Sequence, residues 1–202
     1  GFRNTQIEAM PGRSIVKAAV IFENGEVDCI KFEEVPSPVP GPGEILLDVH
    51  AAALNHLDIW VRRGRPGVEL PVPHILGSDA AGVVVEAGEG VDLVRAGDEV
   101  LFNPGLSCGR CEFCRRGEQS ECISFGIVGM ARPGTFAERV VVPAMNVFAK
   151  PPHLSMTEAA ALPPAFAAFD ALMAAHMKLD PKARAVATCA LVGMDKRAQL
   201  FA

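Results

Sequence analysis

Four of the six cysteines crowd into one short run, SCGRCEFCRRGEQSEC, where Cys108, Cys111, Cys114 and Cys122 follow the spacing C-x2-C-x2-C-x7-C. Thiolates at this density suit a tetrahedral metal ion, which takes four sulfurs at about 2.3 Å. The two-residue spacers let one tight loop deliver three sulfurs, and a longer excursion returns the fourth. Gly109 and Gly117 permit the turns this needs. Arg110, Arg115 and Arg116 offset the negative charge of a four-thiolate site. With every position filled by protein, the site is closed and structural, without a place for water or substrate. Two other readings use the same residues. Disulfides are rare in a reducing compartment. An iron–sulfur cluster shares the C-x2-C-x2-C run, but its fourth cysteine is usually followed by proline and serves a second cluster. Here Ile123 follows and there is no second set. Zinc is therefore placed first. Cys29 and Cys189 stand far off and are expected to be ordinary buried thiols.

The composition narrows the setting. The chain has 202 residues, a formal net charge of −5, half its residues hydrophobic and 21% charged. That excludes a disordered polymer. The acidic balance argues against a nucleic-acid partner. There is no tyrosine, so no tyrosine general acid. The opening residues GFRNTQIEAMPGRSIVKAAV hold no continuous apolar segment, and the Ala-rich stretch from Ala159 to Met177 is broken by Pro163, Pro164, Asp170 and His176. No membrane span is expected, and the protein is expected to be cytoplasmic.

The elements that must position the cysteines are mostly short strands. Residues 1–15 are expected to be a disordered or non-native extension. Val16–Phe22 and Ile30–Val35 are predicted to form a hairpin, with Asn24-Gly25 as the turn signal. Further strands are predicted over Glu44–Ala53, Asp79–Glu86, Asp98–Asn103, Thr135–Val142 and Asn146–Ala149. Brief strands with turn residues between them indicate a mainly β domain, a partly open barrel or sandwich. A short helix is predicted over Asn55–Arg63, stopped by Gly64, with Trp60 expected in the core. Ser155-Met-Thr-Glu158 fits a capping box that starts a helix running to about Leu162. A second helix is predicted over Ala165–Lys178, and a strand over Ala185–Val192.

From about Val16 to Phe166 the chain resembles the medium-chain dehydrogenase/reductase superfamily of zinc alcohol dehydrogenases and quinone oxidoreductases. The resemblance rests on GPGEILLDVHAAALNHLDIWVRRG, HILGSDAAGVVVEAGEGV, the AGDEV turn and the four-cysteine lobe. It implies a GroES-like, partly open β-barrel catalytic domain over residues 16–153, a zinc lobe at about 104–126, a helical segment at 154–178 leading to a nucleotide domain, and a divergent tail at 179–202. It also implies a small-molecule substrate and hydride exchange with NAD(P)H. The departures matter as much. Asn55 stands where zinc alcohol dehydrogenases place their first catalytic zinc ligand, a cysteine. Gly77-Ser78-Asp79 replaces their Gly-His-Glu, and no later cysteine ligand appears near Pro163. The resemblance then implies a site without catalytic zinc, lined by Asn55, His56 and Asp58, as in the quinone-oxidoreductase-like branch. The residues alone equally allow Asn55 and Asp58 to be helix caps, His56 an exposed helix residue, and Asp79 a carboxylate on a backbone amide with no chemical part.

No G-x-G-x-x-G follows Phe166, and the late segment has Gly193 as its only glycine. The expectation is an oxidoreductase catalytic domain cut short before its Rossmann unit. It would be inactive alone unless a partner chain supplied the nucleotide domain, with a homo-oligomer also open. The other expectation, from a different class, is a zinc-stabilised barrel with a binding or structural role.

Overall fold

A computed structural model describes residues 14–64 and 70–162. The predicted second helix over Ala165–Lys178, the strand over Ala185–Val192, Cys189 and all but the last two residues of the N-terminal extension lie outside them. Strand β1 (Ile15–Ile21) pairs antiparallel with β2 (Ile30–Pro36), from Ile15 opposite Pro36 to Ile21 opposite Ile30. β3 (Glu44–Ala53) leads into helix α1 (His56–Arg63). β4 (His74–Ile75) returns to β1, and β5 (Asp79–Ala87) pairs with β3. β6 (Glu99–Phe102), β9 (Arg139–Pro143) and β10 (Val147–Ala149) complete a five-stranded sheet in the order β10-β6-β5-β3-β9. The smaller sheet runs β2-β1-β4. β7 (Gly105–Leu106) and β8 (Gly126–Ile127) pair with each other at the base of the cysteine lobe, which contains α2 (Glu112–Arg115). α3 (Met156–Ala160) closes the described chain.

The two larger sheets are joined by a short seam. The Glu138 N–H donates to the Lys17 carbonyl at 2.9 Å, while the Glu138 carbonyl accepts from Val49 N–H at 2.8 Å. One residue thus passes the hydrogen-bonding direction from β1 to β3, and the sheet curls without closing. Inside the curl Ile45, Leu47, Val84, Val100, Phe102, Val140 and Val142 are buried together. Each fully buried side chain of this size contributes about 1.5–3 kcal/mol. On the other side of β5, Ala81 packs with Ala159 and Ala160 of α3. The predicted capping box holds α3 in place: Ser155 Oγ accepts from Glu158 N–H at 3.2 Å, and Glu158 Oε2 accepts from Ser155 N–H at 2.9 Å.

Two sequence expectations change. Asn24-Gly25 does not make a tight turn; residues 22–29 connect the strands, with a 3-10 turn at Val27–Cys29. Asn24 instead caps the far end of α1, its Nδ2 donating to the carbonyls of Val61 at 2.9 Å and Arg62 at 3.1 Å, and Gly25 N–H donates to Arg62 O at 3.0 Å. The buried Arg62 returns the contact, Nη1 donating to Gly25 O at 2.6 Å. A long-range docking contact has taken over a local turn signal. The predicted strand over Thr135–Val142 shortens to Arg139–Pro143, because residues 136–138 form the seam to β1. Val140, Val141 and Val142 are all buried, since both faces of β9 are covered there.

Beside the irregularity after Val49, Gly82 pairs with Val49 and lies tight against the β3 backbone: a Cβ on Gly82 would lie 1.9 Å from the Asp48 carbonyl oxygen. Backbone cannot yield as a flexible side chain can. Gly82→Ala is expected to destabilise the chain by about 3 kcal/mol, read as a lowered urea midpoint by fluorescence of the single tryptophan.

Candidate functional site

The cysteine lobe brings its four sulfurs together. The Sγ atoms of Cys108, Cys111, Cys114 and Cys122 all lie within 4.8 Å of one another. Cys111 Sγ is 3.4 Å from Cys114 Sγ, and Cys108 Sγ is 4.0 Å from it. A tetrahedral ion with Zn–S bonds near 2.3 Å holds its sulfurs about 3.8 Å apart, so the cage is already the size of one ion and too tight for a multi-iron cluster. Gly109 and Gly117 take positive φ (68° and 79°) at the two turns. Backbone amides also aim at the sulfurs: Cys122 Sγ accepts from Cys108 N–H at 3.3 Å and from Ser124 N–H at 3.4 Å. The N–H of Cys114, helped by that of Ile123, draws the Cys111 thiol down to about 6. Desolvation, and then its neighbours Cys111 and Cys122, push the Cys114 thiol up to about 11. Crowded thiolates oppose one another's ionisation, and a cation at their centre removes the conflict. Arg116 does not serve the sulfurs as the sequence suggested. Its guanidinium pairs with Glu112 at 3.3 Å and Glu118 at 3.0 Å.

The second cluster forms where α1 begins. Asn55 is the N-cap residue, and Asn55 and Asp58 make a capping box. Asp58 Oδ2 accepts from Asn55 N–H at 2.7 Å. The Asn55 Nδ2 donates a hydrogen bond to Asp79 Oδ2, at the start of β5. Thr135 Oγ1 donates to the Asp79 carbonyl at 3.1 Å. Asp79 is fully buried, Asp58 is 7% exposed and Ser78 3%. Burial, opposed by the Asn55 bond and reinforced by the charge of Asp58, raises the Asp79 carboxyl to about 6. Burial also raises Asp58, against the backbone N–H groups of Asn55 and Gly77. Asp79 Oδ1 and Ser78 Oγ are buried without a hydrogen-bond partner.

Of the three cleft residues named from sequence, Asn55 and Asp58 therefore share one cluster. His56 is exposed and meets Trp60 edge-on, ring centroids 4.9 Å apart. Trp60 is 49% exposed rather than in the core. It falls on the outer face of α1, while Leu57 and Val61 pack inward with Ile21 and Leu76. The residue that sequence reasoning undervalued is Asp79. The available signal was an acidic residue opening an otherwise apolar strand, AAGVVV.

The residues at the α1 cluster do not fit a catalytic zinc. An amide and a hydroxyl, Asn55 and Ser78, occupy the positions of a thiolate and an imidazole, and both are weak zinc ligands. Among the described residues the cysteines are the only group of three or more His, Cys, Asp or Glu placed to share an ion. Nor do the described residues build a pyrophosphate cradle: no described helix follows a strand through a glycine-rich turn.

A partly open β-barrel bearing a four-cysteine lobe and a polar cluster at the start of its first helix is the catalytic-domain architecture of the medium-chain dehydrogenases. Residues 41–152 match the alcohol dehydrogenase GroES-like domain, and the chain belongs to that family. It is 36% identical over 143 residues to the L-threonine 3-dehydrogenase of Pyrococcus abyssi, covering 70% of this chain and 41% of that enzyme. A solved NAD-dependent alcohol dehydrogenase superposes with a TM-score of 0.72 at 49% identity, over 74% of this chain and 44% of its own. A cobalt- and zinc-bound thermostable alcohol dehydrogenase from Pyrobaculum aerophilum gives 0.69 at 40% identity, over 76% and 46%. The chain thus spans less than half the length of these relatives.

The raised Asp79 pKa fixes a sign. The folded state holds its proton more tightly than the unfolded state, so stability from this group is full below the unfolded value of 3.8 and is lost as pH rises through about 6. The loss is about 3 kcal/mol at 1.36 kcal/mol per pKa unit. Asp79→Asn is expected to flatten the fall in unfolding free energy between pH 4 and pH 7, measured by urea titration at each pH.

Proposed function

We infer that residues 16–153 form the substrate-side domain of an NAD(P)-dependent dehydrogenase or reductase that interconverts a small alcohol and its carbonyl compound, or reduces a conjugated C=C bond. The observation that carries this reading is the family match over residues 41–152, which contains both the cysteine lobe and the Asn55–Asp79 cluster. The lobe, at about residues 104–126, holds one structural zinc through Cys108, Cys111, Cys114 and Cys122 and takes no part in the chemistry. Asn55 and Asp58 line the reaction cleft, with His56 at its rim. When bound, the nicotinamide supplies or accepts the hydride; the chain's own residues orient the substrate and set the electrostatics around its oxygen. Nucleotide binding falls to a unit reached through residues 154–178, or to a second chain, and the reduced thiols suit the cytoplasm.

No described helix is long and apolar enough to cross a membrane.

Metal analysis of the purified chain is expected to give one zinc per chain. Cys111→Ser is expected to lower that occupancy and the thermal midpoint together, because a closed four-ligand site loses its geometry with one sulfur. Iron in place of zinc, or full metal content in Cys111→Ser, would refute the assignment. Titration with NADH and NADPH, followed by nicotinamide fluorescence, tests the oxidoreductase reading. Saturable micromolar binding supports it, and no binding favours a zinc-stabilised barrel with a binding role.

A further inference from the structure

In the cluster at the start of α1, Asn55 is half-buried while Asp58, Ser78 and Asp79 are buried. A ligand arriving from solvent meets the carboxamide and not the carboxyls behind it. A carboxamide carries two N–H donors and one carbonyl acceptor, and turning it by half a revolution exchanges them. Here that choice is made by the surroundings. One Nδ2 hydrogen goes to Asp79 Oδ2, and the carbonyl end is turned toward the first turn of α1, where the Asp58 backbone N–H bonds the Asn55 backbone carbonyl at 3.1 Å. The Asn55 backbone is fixed as well, by its N–H to Asp58 Oδ2. The backbone N–H of Gly77, two residues before Asp79, faces the Asp58 carboxyl and favours its charged form. The contacts close a ring through Asn55, Asp58, Gly77 and Asp79. Among the described residues the second Nδ2 hydrogen is left uncommitted.

We propose that Asp79 is a positioning residue: its hydrogen bond fixes the Asn55 carboxamide so that an uncommitted N–H is offered to the oxygen of a neutral carbonyl compound or alcohol. This rests on the oxidoreductase reading and deepens it. A preorganised donor at that point stabilises negative charge as it develops on the substrate oxygen. The ligand is neutral because Asp58 and Asp79 stand behind Asn55, and among the described residues neither acid is paired with a lysine or arginine. An anionic 2-oxo acid would meet that charge without a cation to answer it.

The test is proton–nitrogen NMR of the full 15N-labelled chain, with the Asn55 side-chain signals assigned through their disappearance in Asn55→Ala. The wild-type pair is expected to be well dispersed and slow to exchange with water. Asp79→Leu should speed that exchange at least tenfold, whereas Asp79→Asn, which keeps an oxygen acceptor, should restore the wild-type rate. Because Asp79→Leu can fail to fold, pH supplies a second readout. The wild-type Asn55 pair should titrate with one midpoint near pH 6, lost in Asp79→Asn and kept in Asp58→Asn. An Asn55 pair that ignores both the leucine variant and pH overturns the clamp. Cyclohexanone at millimolar concentration should shift the pair and pyruvate should not; a response to pyruvate, or to neither, overturns the assignment of a neutral carbonyl ligand. Failure of this chain to bind nucleotide would remove the oxidoreductase reading for the chain alone, while the exchange rates and pH midpoint of the Asn55 pair still decide the clamp, so the two failures are distinguishable.

Discussion

The hydrogen bond from the Asn55 carboxamide to the buried Asp79 carboxyl is the contact on which the geometry of the α1 region depends. Burying a carboxyl is costly unless it is neutralised or hydrogen-bonded. Asp79 answers with both, an amide donor and a pKa raised toward the neutral form. The bond ties the first residue before α1 to the first residue of β5, so helix and sheet cannot move apart without exposing or orphaning that carboxyl. The opposite end of α1 is held independently, by Asn24, Gly25 and the buried Arg62. Between these two anchors Leu57 and Val61 fill the gap with apolar contact. A helix of only eight residues would be marginal by itself; here tertiary contacts at both ends define where it starts and stops.

The cysteine lobe is held by a different force. None of the residues of α2 is buried, and of the four ligands only Cys122 is. The lobe therefore has little apolar core of its own, and backbone amides directed at sulfur are its main internal order. Such a segment takes its stability from the ion it binds, since the free energy of metal binding is then free energy of folding. The two-stranded β7–β8 pairing fastens it to the barrel through two residue pairs. Lobe and barrel thus differ in what can stabilise them, a shared ion in the one and burial in the other.

Much of this was legible in the sequence, and the reasons are local. β3 and α1 carry their own periodicity and caps, and Ser155 with Glu158 encodes the start of α3 within four residues. The cysteine spacing is a local code for a shared ion. What the sequence did not disclose depends on distant partners. Asn24-Gly25 has the composition of a tight turn but serves the C-terminus of α1, 37 residues away. Trp60 has the character of a core residue, yet the face of α1 that packs inward is set by Leu57 and Val61. Asp79 reads as an ordinary strand residue until β5 is laid beside the N-terminus of α1, 24 residues earlier in the chain.

The α1 cluster also shows how a scaffold can keep a site's position while exchanging its chemistry. In zinc alcohol dehydrogenases, which the chain resembles, a thiolate and an imidazole at these positions would hold a dication. Here a neutral amide and a hydroxyl, Asn55 and Ser78, stand in their place, beside the buried acids Asp58 and Asp79. With these residues in place, burial and then the charge of Asp58 raise the Asp79 carboxyl to about 6 against the Asn55 hydrogen bond. An Asp79 that accepts from an amide N–H, with its carboxyl raised to about 6, organises the cluster around the Asn55 carboxamide, a neutral donor. The helix N-terminus adds a small positive potential at the same place, so Asn55, half-buried where Asp58, Ser78 and Asp79 are buried, is the residue of the cluster at which donor and positive potential coincide.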